Sequence, residues 1–181
     1  MNQIMRTVRI EKLTLNIGAG KEQAILDKGI VLLQSITGLP PVKTITQKRI
    51  ANWGLRPGLP IGCKITFRKE KAKELAKRLL VARNNLLSKD NFDDNGNVSF
   101  GIHEYIDIPD VKYDPKIGIM GLQVSVTLQR PGFRIKRRKI MKRRIPRKHI
   151  IPREEAIKFM KDNFAIKIEE EQEQEEGGEL R

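Results

Sequence analysis

Few residues in this chain have the chemistry of a reaction centre. Cys63 is the only cysteine, and His103 and His149 are the only histidines. A structural zinc site takes four such ligands in close pairs. These three are scattered, so no metal site is expected. One cysteine allows no intramolecular disulfide, and without a paired base it reads as a small structural thiol. His103 and Glu104 are neighbours, but neighbours on a strand point to opposite faces and cannot act together. Asp107, Asp110 and Asp114 lack cation-loop spacing: Pro109 and Pro115 interrupt it, and no bidentate Glu follows. Gly18-Ala19-Gly20 follows a strand, yet the third glycine of a dinucleotide loop is replaced by Gln23, and no phosphate-loop motif occurs. The chain reads as non-enzymatic, with no metal or cofactor.

The residue type that is abundant is the cation. The 181 residues carry 36 Lys and Arg against 22 Asp and Glu, a net charge of +14. Residues 1–129 hold 20 basic and 12 acidic residues, 130–153 hold 12 basic and none acidic, and 154–181 hold 4 basic and 10 acidic. Twenty-four residues with twelve cations and no counter-charge repel one another unless a polyanion neutralises them. The partner expected is a nucleic acid. No run of 18 apolar residues is present, and Met1 to Arg6 contains no stretch of signal-peptide length, so a cytoplasmic protein without a membrane partner is expected.

The elements that must position these cations follow from periodicity. Leu13, Leu15 and Ile17 alternate on one strand, while Val8 and Ile10 alternate in the opposite parity, which predicts a bulge or strand start near Glu11. From Glu22, helical spacing through Ile25, Lys28 (by its stem), Leu32 and Ile36, with Gly29 and Leu33 beside them, ends at Gly38 and Pro40-Pro41. Val42 to Gln47 reads as a strand, Lys48 to Pro60 as a long loop, and Ile61 to Arg68 as another strand. Glu70 to Ser88 reads as a helix with an apolar stripe of Leu75, Leu79, Ala82 and Leu86. Asp93 to Gly96 is a turn, followed by short strands at Val98–Ile102, Tyr105–Ile108 and Gly121–Leu128.

These elements predict an α+β fold: a two-layer sandwich whose mainly antiparallel sheet carries helices on one face. The chain then divides into a core at 1–130, a basic arm at 131–152, a C-terminal helical extension at 153–168 and an acidic, disordered tail at 169–181.

Two regions carry the nucleic-acid signal. Lys43 to Arg78 holds 11 basic residues against Glu70 and Glu74. Within it, Lys64, Thr66 and Arg68 share the strand face opposite Cys63, Ile65 and Phe67. Lys43, Ile45 and Gln47 share one face of the preceding strand, so pairing would gather cations and hydroxyls suited to phosphates and ribose. The intervening loop offers Lys48, Arg49, Asn52, Trp53, Gly54 and Arg56, with Trp53 free to stack on a base or to anchor the loop on the core. The second region is the arm, where Arg134, Lys136, Arg137, Arg138, Lys139, Lys142, Arg143, Arg144, Arg147 and Lys148 fall within 15 residues. Such an arm is expected to lack structure alone and to order on RNA while neutralising phosphates. No helix-turn-helix or zinc-finger pattern favours DNA.

Several runs resemble the large-subunit ribosomal protein family, number five in the universal naming, that binds 5S ribosomal RNA. They are Ile10 to Gly18, Ile36-Thr37-Gly38 with Pro41-Val42, Arg56 to Arg68, Phe92 to Ile102, Ile106 to Pro109 and Tyr113-Asp114. The arm and the Arg153-to-Phe159 helix resemble the archaeal branch. Two positions depart from the family pattern: Leu39 replaces a Gln, and Pro152 stands where relatives have a hydroxyl cap. The resemblance implies an α+β scaffold carrying 5S rRNA in the central protuberance, in the cytoplasm. It implies contacts with large-subunit rRNA, P-site tRNA and neighbouring ribosomal proteins, including a small-subunit bridge protein. The 5S-contacting face would map onto Asn16, Thr44, Lys64, Thr66 and Arg68, and the tRNA-approaching loop onto Ile50 to Gly58.

Overall fold

In chain order the elements are β1 (Arg9–Gly18), α1 (Gln23–Thr37), β2 (Val42–Ile45), β3 (Pro60–Phe67), α2 (Lys69–Val81), β4 (Leu86–Ser88), β5 (Asn97–Ile102), β6 (Leu122–Gln129), α3 (Arg134–Arg137), α4 (Arg153–Phe164) and β7 (Lys167–Glu169). The computed structural model describes residues 3–169, so the acidic tail beyond Glu169 lies outside the described residues. Five strands form one sheet in the order β2-β3-β1-β6-β5, every neighbouring pair antiparallel. The α+β reading with a mainly antiparallel sheet holds.

Alternation in the strands assigns the two faces. Leu13, Leu15 and Ile17 of β1 meet Phe67, Ile65 and Cys63 of β3 and Val126 and Val124 of β6 on one face, all buried. Leu26, Leu32, Leu33 and Ile36 of α1 and Ala72, Leu75, Ala76, Leu79 and Leu80 of α2 join them in one core. Full burial of each Leu or Ile contributes roughly 1.5–3 kcal/mol relative to exposure. The expected shift near Glu11 is a β-bulge: the β1–β6 register slips between Ile10 and Lys12. It lets Ile10 and Leu13 both face the helices despite their opposite parity.

The α1 stripe runs through Leu26 and Gly29, and Lys28 is exposed, so the stem assigned to the apolar face lies in solvent. Gly38 caps the helix at φ 70°, its N–H donating to the Gln34 carbonyl at 2.8 Å. The second helix is shorter than its stripe suggested. Asn84 and Asn85 take left-handed φ values of 54° and 56°, which end it, and Leu86 opens a strand. That strand, β4, pairs in parallel with β7, a pairing the sequence did not disclose. Tyr105–Asp107 forms a 3-10 turn rather than part of a strand. Tyr105 is buried there, and its hydroxyl accepts the Asp114 backbone N–H at 2.9 Å.

The arm is not a free segment. After α3 the chain reverses at Met141 (φ 52°), and the Arg143 N–H donates to the Ile135 carbonyl at 3.2 Å. Its far end returns to the core through fully buried Ile151. Arg130, itself buried, pairs with Glu155 of α4 and donates to the Lys148 carbonyl at 3.4 Å. The helix α4 packs Ala156, Met160 and Phe164 into the same core. Its N-cap, Pro152, makes no side-chain cap bond, consistent with the missing hydroxyl.

Candidate nucleic-acid interface

The sheet face opposite α1 and α2 is assembled by register. Residues directly opposed in an antiparallel pair point to the same side. Thr66, Thr14, Ser125 and Ser99 therefore form one row across β3, β1, β6 and β5. Its hydroxyls bond pairwise, Thr14 to Thr66 at 3.3 Å and Ser125 to Ser99 at 3.2 Å. The next row holds Val42, Lys64, Asn16, Gln123 and Gly101, with the Asn16 amide donating to Gln123 at 3.2 Å. On the other side, Lys12 stands opposite Thr127, which stands opposite Asn97. The face is a lattice of short hydroxyls and amides with two lysines, chemistry suited to ribose hydroxyls, base edges and phosphates.

Three of the expected residues, Asn16, Lys64 and Thr66, meet on adjacent positions of this face, and Thr44 joins them opposite Gly62. Gly62 is required for that closeness: a Cβ there would lie 2.5 Å from the Ile17 carbonyl oxygen and 3.0 Å from Thr44 Oγ1. Lys43 is a correction. It opposes Cys63, so it lies on the helix-side face at the sheet edge, and Val42 and Thr44 take the place expected for Lys43 and Ile45. Arg68 stands just beyond the face as the N-cap of α2 and reaches Glu11, donating to its carbonyl at 3.4 Å with the carboxylate 3.6 Å away. Thr14, Ser99, Gln123, Ser125 and Thr127 were missed as site residues. Their signal was present in the alternation of Thr14 against Leu13 and Leu15, of Ser99 against Val98 and Phe100, and of Gln123, Ser125 and Thr127 against Leu122, Val124, Val126 and Leu128, read there only for burial.

The loop after β2 is closed by reciprocal backbone bonds between Ile50 and Leu55 at 3.1 and 3.0 Å. Leu55 is buried and anchors it, whereas Trp53 is 68% exposed, in a 3-10 turn with Asn52 and just before Gly54. The anchoring role considered for Trp53 thus belongs to Leu55. Lys48, Arg49 and Arg56 are exposed on the same loop.

The arm cations divide into held and unheld. Arg137 is bound to Glu11 at 2.6 Å and to the Gln129 side chain, and Arg138 donates to the Met141 carbonyl at 2.8 Å. Among the described residues Arg134, Lys136, Arg143 and Arg144 are exposed and make no ion pair. Glu11, projected by the bulge and nearly buried, thus ties β1 to both Arg68 and the arm. Cys63 lies fully buried in the core, where desolvation pushes its thiol up to about 11. At neutral pH it is neither nucleophile nor ligand. Among the described residues no group of three or more His, Cys, Asp or Glu side chains could hold a metal.

Comparison with known proteins identifies the family. The family profile "Ribosomal protein L5" matches residues 3–56, and the profile of the same ribosomal family's C-terminus matches residues 60–170. The large ribosomal subunit protein uL5 of Sulfurisphaera tokodaii is 47% identical over 167 residues, 92% of this chain and 94% of the relative. That of Sulfolobus acidocaldarius is 48% identical over 91% of this chain and 93% of its own length, and that of Nanoarchaeum equitans 46% over 93% and 99%. With profiles spanning nearly the whole chain and archaeal relatives at this identity, the chain belongs to the ribosomal protein L5 (uL5) family.

Proposed function

We propose that the open sheet face holds 5S rRNA and that the chain anchors it in the central protuberance. Membership of the family makes the chain a non-catalytic, structural component of the large ribosomal subunit, and hence cytoplasmic. The observation that carries the finer reading is the hydroxyl–amide lattice across four strands, flanked by Lys12 and Lys64. Short, mutually bonded side chains hold fixed donor and acceptor positions, which suits a folded RNA of one shape better than any polyanion. In this reading Asn16, Thr44, Lys64 and Thr66 choose the RNA, with Arg68 at their edge and Lys48 and Arg49 on the neighbouring loop. Arg134, Lys136, Arg143 and Arg144 grip large-subunit rRNA, and Arg137 and Arg138 brace the arm.

The loop from Ile50 to Gly58, with exposed Asn52, Trp53, Gly54 and Arg56, approaches P-site tRNA, and neighbouring proteins include one of the small subunit. Filter binding of the full chain to 5S rRNA, an unrelated structured RNA and duplex DNA tests the central claim. Clear preference for 5S rRNA is expected, and equal affinity for all three would refute it. For the loop, crosslinking from position 53 or 56 in assembled ribosomes is expected to reach P-site tRNA.

A further inference from the structure

The arm contains an apolar cavity that phosphate neutralisation does not explain. Phe133, Ile145 and Ile150, each half-buried, form its floor. Phe133 is fixed in place: its ring lies 5.7 Å from that of His149, whose Nε2 is 2.8 Å from the Pro131 carbonyl oxygen. Lys136, Lys142, Arg143 and Arg144 make the rim, and among the described residues none of the four is in an ion pair. Asn95, from the turn before β5, stands at the mouth. The volume is about 510 Å³, within the roughly 300–1,000 Å³ of pockets that enclose small molecules.

A surface meant only for phosphates has no use for an aromatic floor, and an apolar core segment has no use for four unpaired cations. A nucleotide needs both, since its base loses water against rings and aliphatic chains while its phosphates meet cations. We infer that this cavity receives one unstacked RNA nucleotide, base against Phe133, Ile145 and Ile150, phosphates among the rim cations. The arm would then grip RNA by a base as well as by charge. The inference rests on the RNA-binding reading above.

The test compares hepta-uridylate with an abasic ribose-phosphate heptamer of equal charge, using the full chain. Fluorescence anisotropy reads affinity, and methyl NMR reads Ile145 and Ile150. Both oligomers should bind, hepta-uridylate about tenfold tighter, because one stacked base contributes about 1–3 kcal/mol. Only hepta-uridylate should impose ring-current shifts on the two methyls, and Phe133→Leu should reduce the preference several-fold. Equal affinities with unshifted methyls, or failure of both oligomers to bind a chain that still binds 5S rRNA, would overturn the inference alone; failure of 5S rRNA to bind as well would overturn the RNA-binding reading itself. A preference abolished by Trp53→Ala, with unshifted methyls, would place the base at the loop and overturn it too. So would methyl shifts caused by a Glu-rich peptide but not by the RNA.

Discussion

Replacing Arg143 and Arg144 together by glutamine removes two arm cations that have no carboxylate partner among the described residues, whereas Arg137→Gln removes one already held by Glu11 at 2.6 Å. Each lost phosphate contact lowers the slope of log affinity against log salt by about 0.7–0.9, so the double variant should lose about 1.4–1.8 of slope. Between about 0.1 and 0.3 M salt, that difference changes the loss of affinity by roughly five- to sevenfold. Arg137→Gln should leave the slope nearly unchanged. Its cost is to stability: the pair is half exposed on the arginine side, which limits it to about 0.5–1 kcal/mol. Filter binding to 5S rRNA across the salt series, with urea melts of each variant, separates the two effects. If Arg137→Gln flattened the slope as much as Arg143→Gln alone, the division between held and unheld cations would be wrong.

Thr14→Val with Thr66→Val removes two hydroxyls of the open-face row, and at about 1 kcal/mol per hydrogen bond should weaken 5S rRNA about fivefold for each. Affinity for an unrelated structured RNA should stay level, and an equal loss for both RNAs would contradict the lattice as the selecting surface. Gly62→Ala pushes a methyl to 2.5 Å from the Ile17 carbonyl oxygen and should cost about 1–3 kcal/mol, seen as a lower urea midpoint at constant m. Glu155→Gln leaves Arg130 without its counter-charge; because Glu155 is one-third exposed, about 1–3 kcal/mol is expected. Amide exchange at His149 and Ile150 should quicken in that variant, and unchanged exchange would argue against the Arg130–Glu155 pin. Cys63, protonated up to about pH 11 by burial, should resist a disulfide reagent at pH 8 until urea unfolds the chain. Native reaction at the unfolded rate would contradict its burial.

Periodicity made most of the sheet and both long helices legible. The parity change between Ile10 and Leu13 pointed to a bulge or a strand start near Glu11, and the register slip decides for the bulge, because a half-buried strand cannot change faces without an extra residue. Gly38 marked the end of α1 through the φ it must adopt. What stayed hidden was non-local. Lys43 was placed on the wrong face because pairing register, not alternation within one strand, decides which face of β2 joins Lys64. The β4–β7 ladder has only three residues in each strand, too few to show a period. Leu86 matched a helical stripe by spacing, and two left-handed asparagines overrode it. In the arm, charge density masked Phe133, Ile145, Ile150 and Ile151, the residues that fold it back. The candidate face was half legible: one side of the sheet was read for polar chemistry, and the equivalent alternation in β6 was read only for its core.

The parallel pairing of Leu86–Ser88 with Lys167–Glu169 also orders events during synthesis. The five-stranded sheet is complete once Gln129 has emerged, so the open face can form while α4 and β7 are still being made. The ladder joins segments roughly eighty positions apart and cannot close before the last strand leaves the tunnel. Until then the sites that Ala156, Met160 and Phe164 will fill stay uncovered, leaving a nascent chain with a finished RNA-facing surface and an unfinished apolar flank. The final residues of the described chain act as a closing latch, and a chain stalled before them would expose the surface that chaperones bind.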